Sequence, residues 1–110
     1  MKSLNVVIPC LKEAENLKFL LPKIIETLDK TGVEYEIIIV DSCIPMDESP
    51  EICSKFQNVK YLNTLGTDNY GNAVKTGIEG ISKEFTLFMD ADGSHNPILI
   101  PDLMERIKNN

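Results

Sequence analysis

The sequence lacks any apolar run of the roughly 20 residues that a transmembrane helix needs. Its first residues, MKSLNVVIPC, hold only a short apolar run that ends at a proline, which is unlike a secretory signal peptide. Internal repeats and low-complexity segments are also missing. A chain of 110 residues, 43% hydrophobic and 25% charged, has the composition of one globular domain with one core. We therefore expect no transmembrane segment in this chain.

Cysteine is scarce, and basic residues are outnumbered by acidic ones. Cys10, Cys43 and Cys53 form no CxxC pair or Cys/His cluster, which argues against zinc and favours free thiols in a reducing cytoplasm. Eleven Lys and Arg residues stand against 17 Asp and Glu, for a net charge of −6. Because a phosphate backbone needs a basic surface, nucleic acid is not an expected partner. The acidic balance is typical both of an ordinary acidic surface and of carboxylates gathered around a cation.

Short β-rich apolar runs alternate with helical patterns along the chain. The predicted strands are Leu4–Ile8, Tyr35–Val40, Val59–Leu62 and Phe85–Met89. The predicted helices cover 16–32, 50–56, 72–81 and a last stretch from near Pro97 or Pro101 to Lys108. This βαβαβαβα order predicts an α/β, Rossmann-like fold of three layers, with a mostly parallel sheet and helices on both faces.

Glycine, proline and asparagine mark the expected ends of the helices. Asn16 is the candidate N-cap of the first helix, Gly32 is its candidate stop, and Pro22 should kink it or divide it in two. Gly71 and Gly77 accompany the start of the third helix. Their spacing is a weak match to a phosphate-binding loop, and close packing of the helix on the sheet explains them as well.

Carboxylates follow three of the four predicted strands. The first strand runs into Pro9-Cys10-Leu11-Lys12-Glu13, the second into Asp41-Ser42-Cys43, and the fourth into Asp90-Ala91-Asp92. Since ligands of an open parallel sheet bind outside the carboxyl ends of its strands, these side chains should share one edge. Glu13 is equally placed as an acid ahead of a helix, and Asp41 as a turn residue at a strand end.

The Asp90-Ala91-Asp92 triplet is the strongest of these signals. In an extended chain, residues two apart point the same way, so both carboxylates can address one hard cation. Mg²⁺ and Mn²⁺ prefer oxygen ligands and often share their shell with phosphates. The triplet therefore predicts a Mg²⁺ or Mn²⁺ site that holds a diphosphate, the alternative being a turn at Asp92-Gly93.

Four segments, VVIPCLKEAENL, YEIIIVDS, YGNAVKTGI and FTLFMDADGSHNP, resemble in order and spacing the start of family 2 glycosyltransferases, above all the polyprenyl- (dolichyl-) phosphate sugar synthases. The resemblance implies a GT-A fold and transfer of a hexose from a GDP- or UDP-sugar to an acceptor, of which polyprenyl phosphate is one. It covers nearly all of this chain but only the first half of a family catalytic domain. Residues 1–110 are thus expected to be the nucleotide-sugar-binding half, with the acceptor half absent.

The resemblance also assigns roles to individual residues. Pro9, Leu11 and Glu13 take the opening that lines the base pocket, and Asp41 takes the first acid of the pair that ends the second strand. Asp90 and Asp92 take the DxD positions that bind the metal and the donor diphosphate, and Asp92 is the expected catalytic residue.

This chain departs from the family pattern at the base pocket. Leu11 stands where relatives have an aromatic, and Ser42 stands where they have the second acid of the pair. The choice between GDP and UDP therefore stays open, with Ser42 as a candidate contact.

Four further expectations complete the sequence-based account. A half-domain would expose a strand edge and self-associate, and it would bind nucleotide without turnover, as a non-catalytic module. The location is expected to be cytoplasmic, with peripheral membrane contact an open alternative.

FMDADGS also resembles the motif of haloacid-dehalogenase-type phosphatases, in which Asp90 would be a nucleophile, although that motif normally ends the first strand.

Overall fold

The computed structural model describes residues 3–11 and 14–91. Four strands and three helices alternate along this part of the chain. The strands are β1 (Ser3–Pro9), β2 (Glu34–Asp41), β3 (Val59–Asn63) and β4 (Phe85–Phe88), and the helices are α1 (Ala14–Thr31), α2 (Ser49–Cys53) and α3 (Tyr70–Glu79). All four predicted strands are confirmed. The helix predicted beyond Pro97 lies outside the described residues.

The strands form one parallel sheet in the order β3-β2-β1-β4. The two central strands are mostly apolar on both faces, as expected of strands covered on both sides, although β1 also buries the polar Asn5. β3 and β4 flank them and are only half-buried. The predicted α/β class and parallel sheet are confirmed, whereas self-association through an edge strand stays a prediction.

Helices cover both faces of this sheet and divide the core in two. On one face, alternate strand residues such as Ile8, Ile37 and Ile39 pack with the apolar side of α1 and with α2. On the other face, Val7, Ile38 and Val40 pack with Ala73 of α3. The result is the predicted three-layer arrangement.

The first helix corrects the predicted N-cap and one of the two alternatives predicted for Pro22. It begins at Ala14, so Asn16 lies inside its first turn and is not the N-cap. It also runs through Pro22 without division. Pro22 and Lys18 are both exposed, so the carbonyl that loses its helical partner at this proline can turn to solvent. The predicted stop at Gly32 is confirmed, with a φ of 71° directly after the last helical residue.

The third helix begins two residues earlier than predicted. Asn69 is its N-cap, and the side-chain oxygen accepts a hydrogen bond from the Asn72 N–H at 2.8 Å. Within the described residues, no helix is both long and apolar enough to cross a bilayer.

Candidate functional site

The carboxyl ends of the four strands meet at one edge of the sheet. Pro9 pairs with Val40, and Asp41 pairs with Asn63 one step further along. Asp90 follows the last residue of β4 by two positions. Because β1 separates β2 from β4, the backbones at Asp41 and Asp90 lie roughly 10 Å apart, at about 4.8 Å per strand spacing.

Of the seven sequence-predicted site residues, five lie along this edge: Pro9, Leu11, Asp41, Ser42 and Asp90. Glu13 and Asp92 lie outside the described residues. Pro9 is the last residue of β1, and Leu11 follows it, half-buried. The N–H of Cys10 between them donates to the carbonyl of Val40 at 2.8 Å, which continues the strand pairing into the loop.

The carboxylate of Asp41 is buried and already bound by the protein. The residue is 1% exposed. Its Oδ2 accepts a hydrogen bond from the Tyr61 hydroxyl at 2.6 Å, and its Oδ1 accepts one from the Ser42 N–H at 2.7 Å. The second contact is a local one, to the next residue along the chain, and is one residue short of the contact that defines an Asx turn. A carboxylate held in this way orders the end of the strand.

Two further residues fix the backbone at this strand end. The carbonyl of Asp41 accepts hydrogen bonds from the Thr64 N–H at 2.8 Å and from its hydroxyl at 2.7 Å. The carbonyl of Ser42 accepts one from Asn63 Nδ2 at 2.9 Å. The hydroxyl of Ser42 is the exception: it is buried, and it is the only buried side-chain polar atom without a hydrogen-bond partner in the described part of the chain.

Burial and the charge of Asp41 shift two neighbouring pKa values. Burial, with the hydrogen bond to Asp41 second, raises the pKa of Tyr61, so this hydroxyl keeps its proton and donates it. Burial, with the negative charge of Asp41 second, raises the pKa of the Cys53 thiol to about 12. Cys53 is therefore a neutral core residue at physiological pH.

An acid that the sequence analysis did not single out joins the first two loops. Asp47, in the loop after β2, accepts hydrogen bonds from the N–H of Ser49 at 3.0 Å and from the N–H of Ala14 at 3.1 Å. Burial alone would raise the pKa of Asp47, but these hydrogen bonds outweigh it and lower that pKa. Asp47 thereby satisfies an N–H in the first turn of α1 from a distant loop.

A second acid joins the loops after β2 and β3. Asp68 Oδ1 accepts a hydrogen bond from the N–H of Cys43 at 2.8 Å. The thiol of Cys43 is exposed beside the edge. The loops that surround the carboxyl edge are thus linked to each other through carboxylates and backbone N–H groups.

Asp90 lies on the far side of β1 from this network. It is half-buried and stands between two buried residues, Met89 and Ala91. The N–H of Met89 donates to the carbonyl of Val7 at 3.0 Å, which fixes the chain just before Asp90. Among residues 3–11 and 14–91, no group of three or more Asp, Glu, His or Cys side chains lies close enough to hold a metal ion.

The two glycines of the third helix differ in their surroundings. A Cβ at Gly77 would lie 2.5 Å from Cγ1 of Val7 and 3.3 Å from Cγ2 of Val40, whereas at Gly71 it would meet only Asn69 Oδ1, at 3.5 Å. Close helix–sheet packing, the alternative to a phosphate-binding loop, therefore accounts for Gly77.

Sequence comparison identifies relatives of this chain. The family model described as Glycosyl transferase family 2 matches residues 5–110. Dolichol-phosphate mannosyltransferase of Pyrococcus furiosus is 36% identical over 108 residues, which are 96% of this chain and 30% of the relative. Undecaprenyl-phosphate 4-deoxy-4-formamido-L-arabinose transferase of Edwardsiella ictaluri is 33% identical over 106 residues, which are 92% of this chain and 32% of the relative. The chain spans about a third of the length of these curated relatives.

Solved structures share the fold. S. aureus TarS 1-349 in complex with UDP-GlcNAc has a TM-score of 0.72 and 26% identity, over 99% of this chain and 32% of that one. Glucosyl-3-phosphoglycerate synthase from Mycobacterium tuberculosis, in complex with Mn²⁺, UDP and phosphoglyceric acid, has a TM-score of 0.77 and 19% identity, over 96% of this chain and 39% of that one. At 19% identity, the likeness to glucosyl-3-phosphoglycerate synthase shows a shared fold alone.

Proposed function

This chain belongs to glycosyl transferase family 2, and we propose that it forms the part of a glycosyltransferase that binds the nucleotide-sugar donor. The observation that carries the proposal is the arrangement of the carboxyl edge, where the ends of β1, β2 and β4 converge. Ligands of open parallel sheets bind at this edge. Membership of this family also favours glycosyl transfer over the phosphatase alternative for Asp90.

The donor is proposed to be a nucleoside diphosphate hexose that lies across β1. Its base would contact the side of Leu11 and Ser42, and its diphosphate would lie towards Asp90. The roughly 10 Å between the backbones of Asp41 and Asp90 suits a ligand with two recognised ends, since one ion cannot bridge that separation directly. A TarS crystal structure with UDP-GlcNAc, 26% identical to this chain, supports a donor of this class.

A divalent cation, Mg²⁺ or Mn²⁺, fits the donor set proposed for the diphosphate. Such ions are usually bound through one or two carboxylates together with substrate phosphates, and seldom by an all-protein cage. The half-buried Asp90, at the carboxyl edge of the sheet, suits that mode. Asp90 and Asp92 would hold the ion, which would neutralise charge developing on the nucleoside diphosphate leaving group.

A polyprenyl phosphate is the proposed acceptor. The names of the two curated relatives both contain a polyprenyl phosphate, dolichol-phosphate in one and undecaprenyl-phosphate in the other. A phosphate oxygen is already a nucleophile, so transfer to it needs no general base from the protein, whereas a sugar hydroxyl would need one. Because a polyprenyl chain resides in a bilayer, we propose that transfer takes place at a membrane surface, and that residues beyond this third of a relative's length supply the acceptor site.

Calorimetry with conservative variants tests the donor proposal. Asp90→Asn keeps the shape of the side chain and removes its charge, so UDP or GDP affinity in Mn²⁺ should fall by at least about tenfold, or ~1.4 kcal/mol. Glu26→Gln is the matched control, because Glu26 is an exposed acid of α1 whose ion pair is with Lys30. Equal affinities for Asp90→Asn and the unaltered chain would refute the diphosphate site.

A further inference from the structure

The network around Asp41 is more extensive than a single buried carboxylate requires. Tyr61 and Asn63 lie two residues apart on β3 and so share one face of the sheet. Their ladder partners on β2 are Ile39 and Asp41. Asn63 Nδ2 donates to the Tyr61 hydroxyl at 3.1 Å as well as to the carbonyl of Ser42. Two side chains of β3 thus reach across to the last residues of β2.

The hydrogen bonds engage both oxygens of the Asp41 carboxylate and both the N–H and the carbonyl of Ser42. With the Tyr61 hydroxyl on one oxygen and the Ser42 N–H on the other, the carboxylate has no free rotation about its last bond. The N–H of Ser42 is then fixed through Asp41, and its carbonyl through Asn63. The backbone of Ser42 is held from both directions.

The one group of this assembly left without a partner is the hydroxyl of Ser42. A buried hydroxyl that is left unpaired gives up its hydrogen bonds to water without replacement, so such a group calls for an explanation. A rigid backbone that carries an unpaired buried hydroxyl at the ligand edge of a parallel sheet is a pre-organised contact for a polar ligand atom.

We infer that Tyr61 and Asn63 are positioning residues, which hold Asp41 and Ser42 in the geometry that binds the nucleoside end of the donor. This inference rests on the proposed function. The residues act through Asp41 and Ser42 and not by contact with the diphosphate, which would lie beyond β1 near Asp90. Loss of either should weaken binding of the nucleoside and leave binding of the diphosphate alone unchanged.

The chain contains a matched control for the tyrosine. Tyr35 is buried at the opposite end of β2, and its hydroxyl donates to Asp29 Oδ1 at 2.7 Å. Tyr61→Phe and Tyr35→Phe each remove one hydroxyl that is bonded to one carboxylate, while the ring stays in the core. Because Asp41 is buried and Asp29 is exposed, Tyr61→Phe should be the more destabilising of the two. Binding is therefore compared between folded proteins, where a difference reports the position of the hydroxyl.

The experiment measures the affinity of the 110-residue chain and its variants for UDP, GDP and inorganic pyrophosphate in Mn²⁺, well below each melting temperature. Tyr61→Phe and Asn63→Ala should each weaken the preferred nucleotide by at least about fivefold, a size typical of one lost hydrogen bond. Their pyrophosphate affinity should match that of the unaltered chain, and Tyr35→Phe should match it for all three ligands. If Tyr61→Phe does not fold, Asn63→Ala carries the comparison.

Three outcomes would overturn the inference. Unchanged nucleotide affinity in a folded Tyr61→Phe or Asn63→Ala would remove the positioning role while leaving the donor proposal intact. Equal losses of nucleotide affinity in Tyr61→Phe and Tyr35→Phe would mean that the network contributes only to general stability. No nucleotide binding by the unaltered chain would refute the donor proposal and this inference with it.

Discussion

Replacing Gly77 by alanine should destabilise the protein, because α3 approaches the sheet at this residue more closely than a methyl group allows. The added carbon would lie 2.5 Å from Cγ1 of Val7, whereas carbon atoms in favourable contact are about 3.5–4.0 Å apart. Val7 is fully buried, and its branched side chain has few rotamers to escape into. About 1 Å of separation therefore has to come from movement of the helix.

The expected magnitude is the difference of two effects. Overpacking a well-packed core costs typically about 1–3 kcal/mol, and this contact lies at the upper end because Val40 blocks the other side at 3.3 Å. Alanine in place of glycine within a helix stabilises the helix by about 1 kcal/mol. The free energy of unfolding of Gly77→Ala should thus fall by about 2 kcal/mol, which corresponds to roughly 8 °C in melting temperature for a chain of this size.

Gly71→Ala is the matched control within the same helix. Its added carbon would meet only Asn69 Oδ1, at an ordinary 3.5 Å, so this variant should be unchanged or more stable by up to about 1 kcal/mol. Urea unfolding followed by circular dichroism measures both, with equal m-values as the check that midpoints can be compared. A stabilised Gly77→Ala, or equal shifts in the two variants, would refute the close-packing explanation.

Three further predictions concern the site and its surroundings. Asp92→Asn should lower nucleotide affinity in Mn²⁺ by at least about tenfold, or ~1.4 kcal/mol, with little change in melting temperature. Unchanged affinity in a titration would mean that the Asp90-Ala91-Asp92 triplet has a structural role and does not bind the metal. UDP and GDP affinities should differ by less than about thirtyfold, or ~2 kcal/mol, because Leu11 and Ser42 stand at the base pocket, and a larger preference would mean that other residues read the base. Burial raises the pKa of Cys53 to about 12 from 9.0, so the unfolded chain loses this proton at a lower pH than the folded chain. The free energy of unfolding should therefore fall as pH rises above about 9, and Cys53→Ala should make this fall less steep between pH 9 and 10. An equally steep fall in that variant would mean that other groups cause it.

The strands were the most predictable part of the fold. The runs VVI and IIIV are apolar at consecutive positions, which is typical of a strand buried on both faces, and the next proline or polar residue ends each one. Parallel pairing followed from their alternation with helices.

The helix starts were less predictable, because the groups that satisfy their N–H groups are not always adjacent in sequence. The N–H of Ala14 is bonded to Asp47, 33 residues away, and no local pattern around Asn16 records that contact. For α3 the cap is local: Asn69 accepts a hydrogen bond from the N–H of Asn72, the residue at which the sequence predicted the helix to begin.

At the candidate site, the sequence indicated which residues lie at the edge but not what they touch. Asp41 was recognisable as the acid that ends β2. Its burial against Tyr61 depends on strand β3 pairing in one register, and that register also brings Asn63 beside Ser42. The only hint in sequence is that Tyr61 and Asn63, two residues apart on a short strand, are polar on the same face.

Metal-dependent nucleotide binding is the most direct test of the account. The 110-residue chain should be titrated by calorimetry with UDP, GDP and the corresponding hexose nucleotides, first in Mn²⁺ and then with the metal chelated. We expect saturable binding of at least one nucleotide in Mn²⁺, and a loss of at least about tenfold in affinity, or ~1.4 kcal/mol, on chelation. Binding that is indifferent to the metal, or no binding of any nucleotide, would contradict the proposal that Asp90 and Asp92 complete a donor site at the carboxyl edge of this sheet.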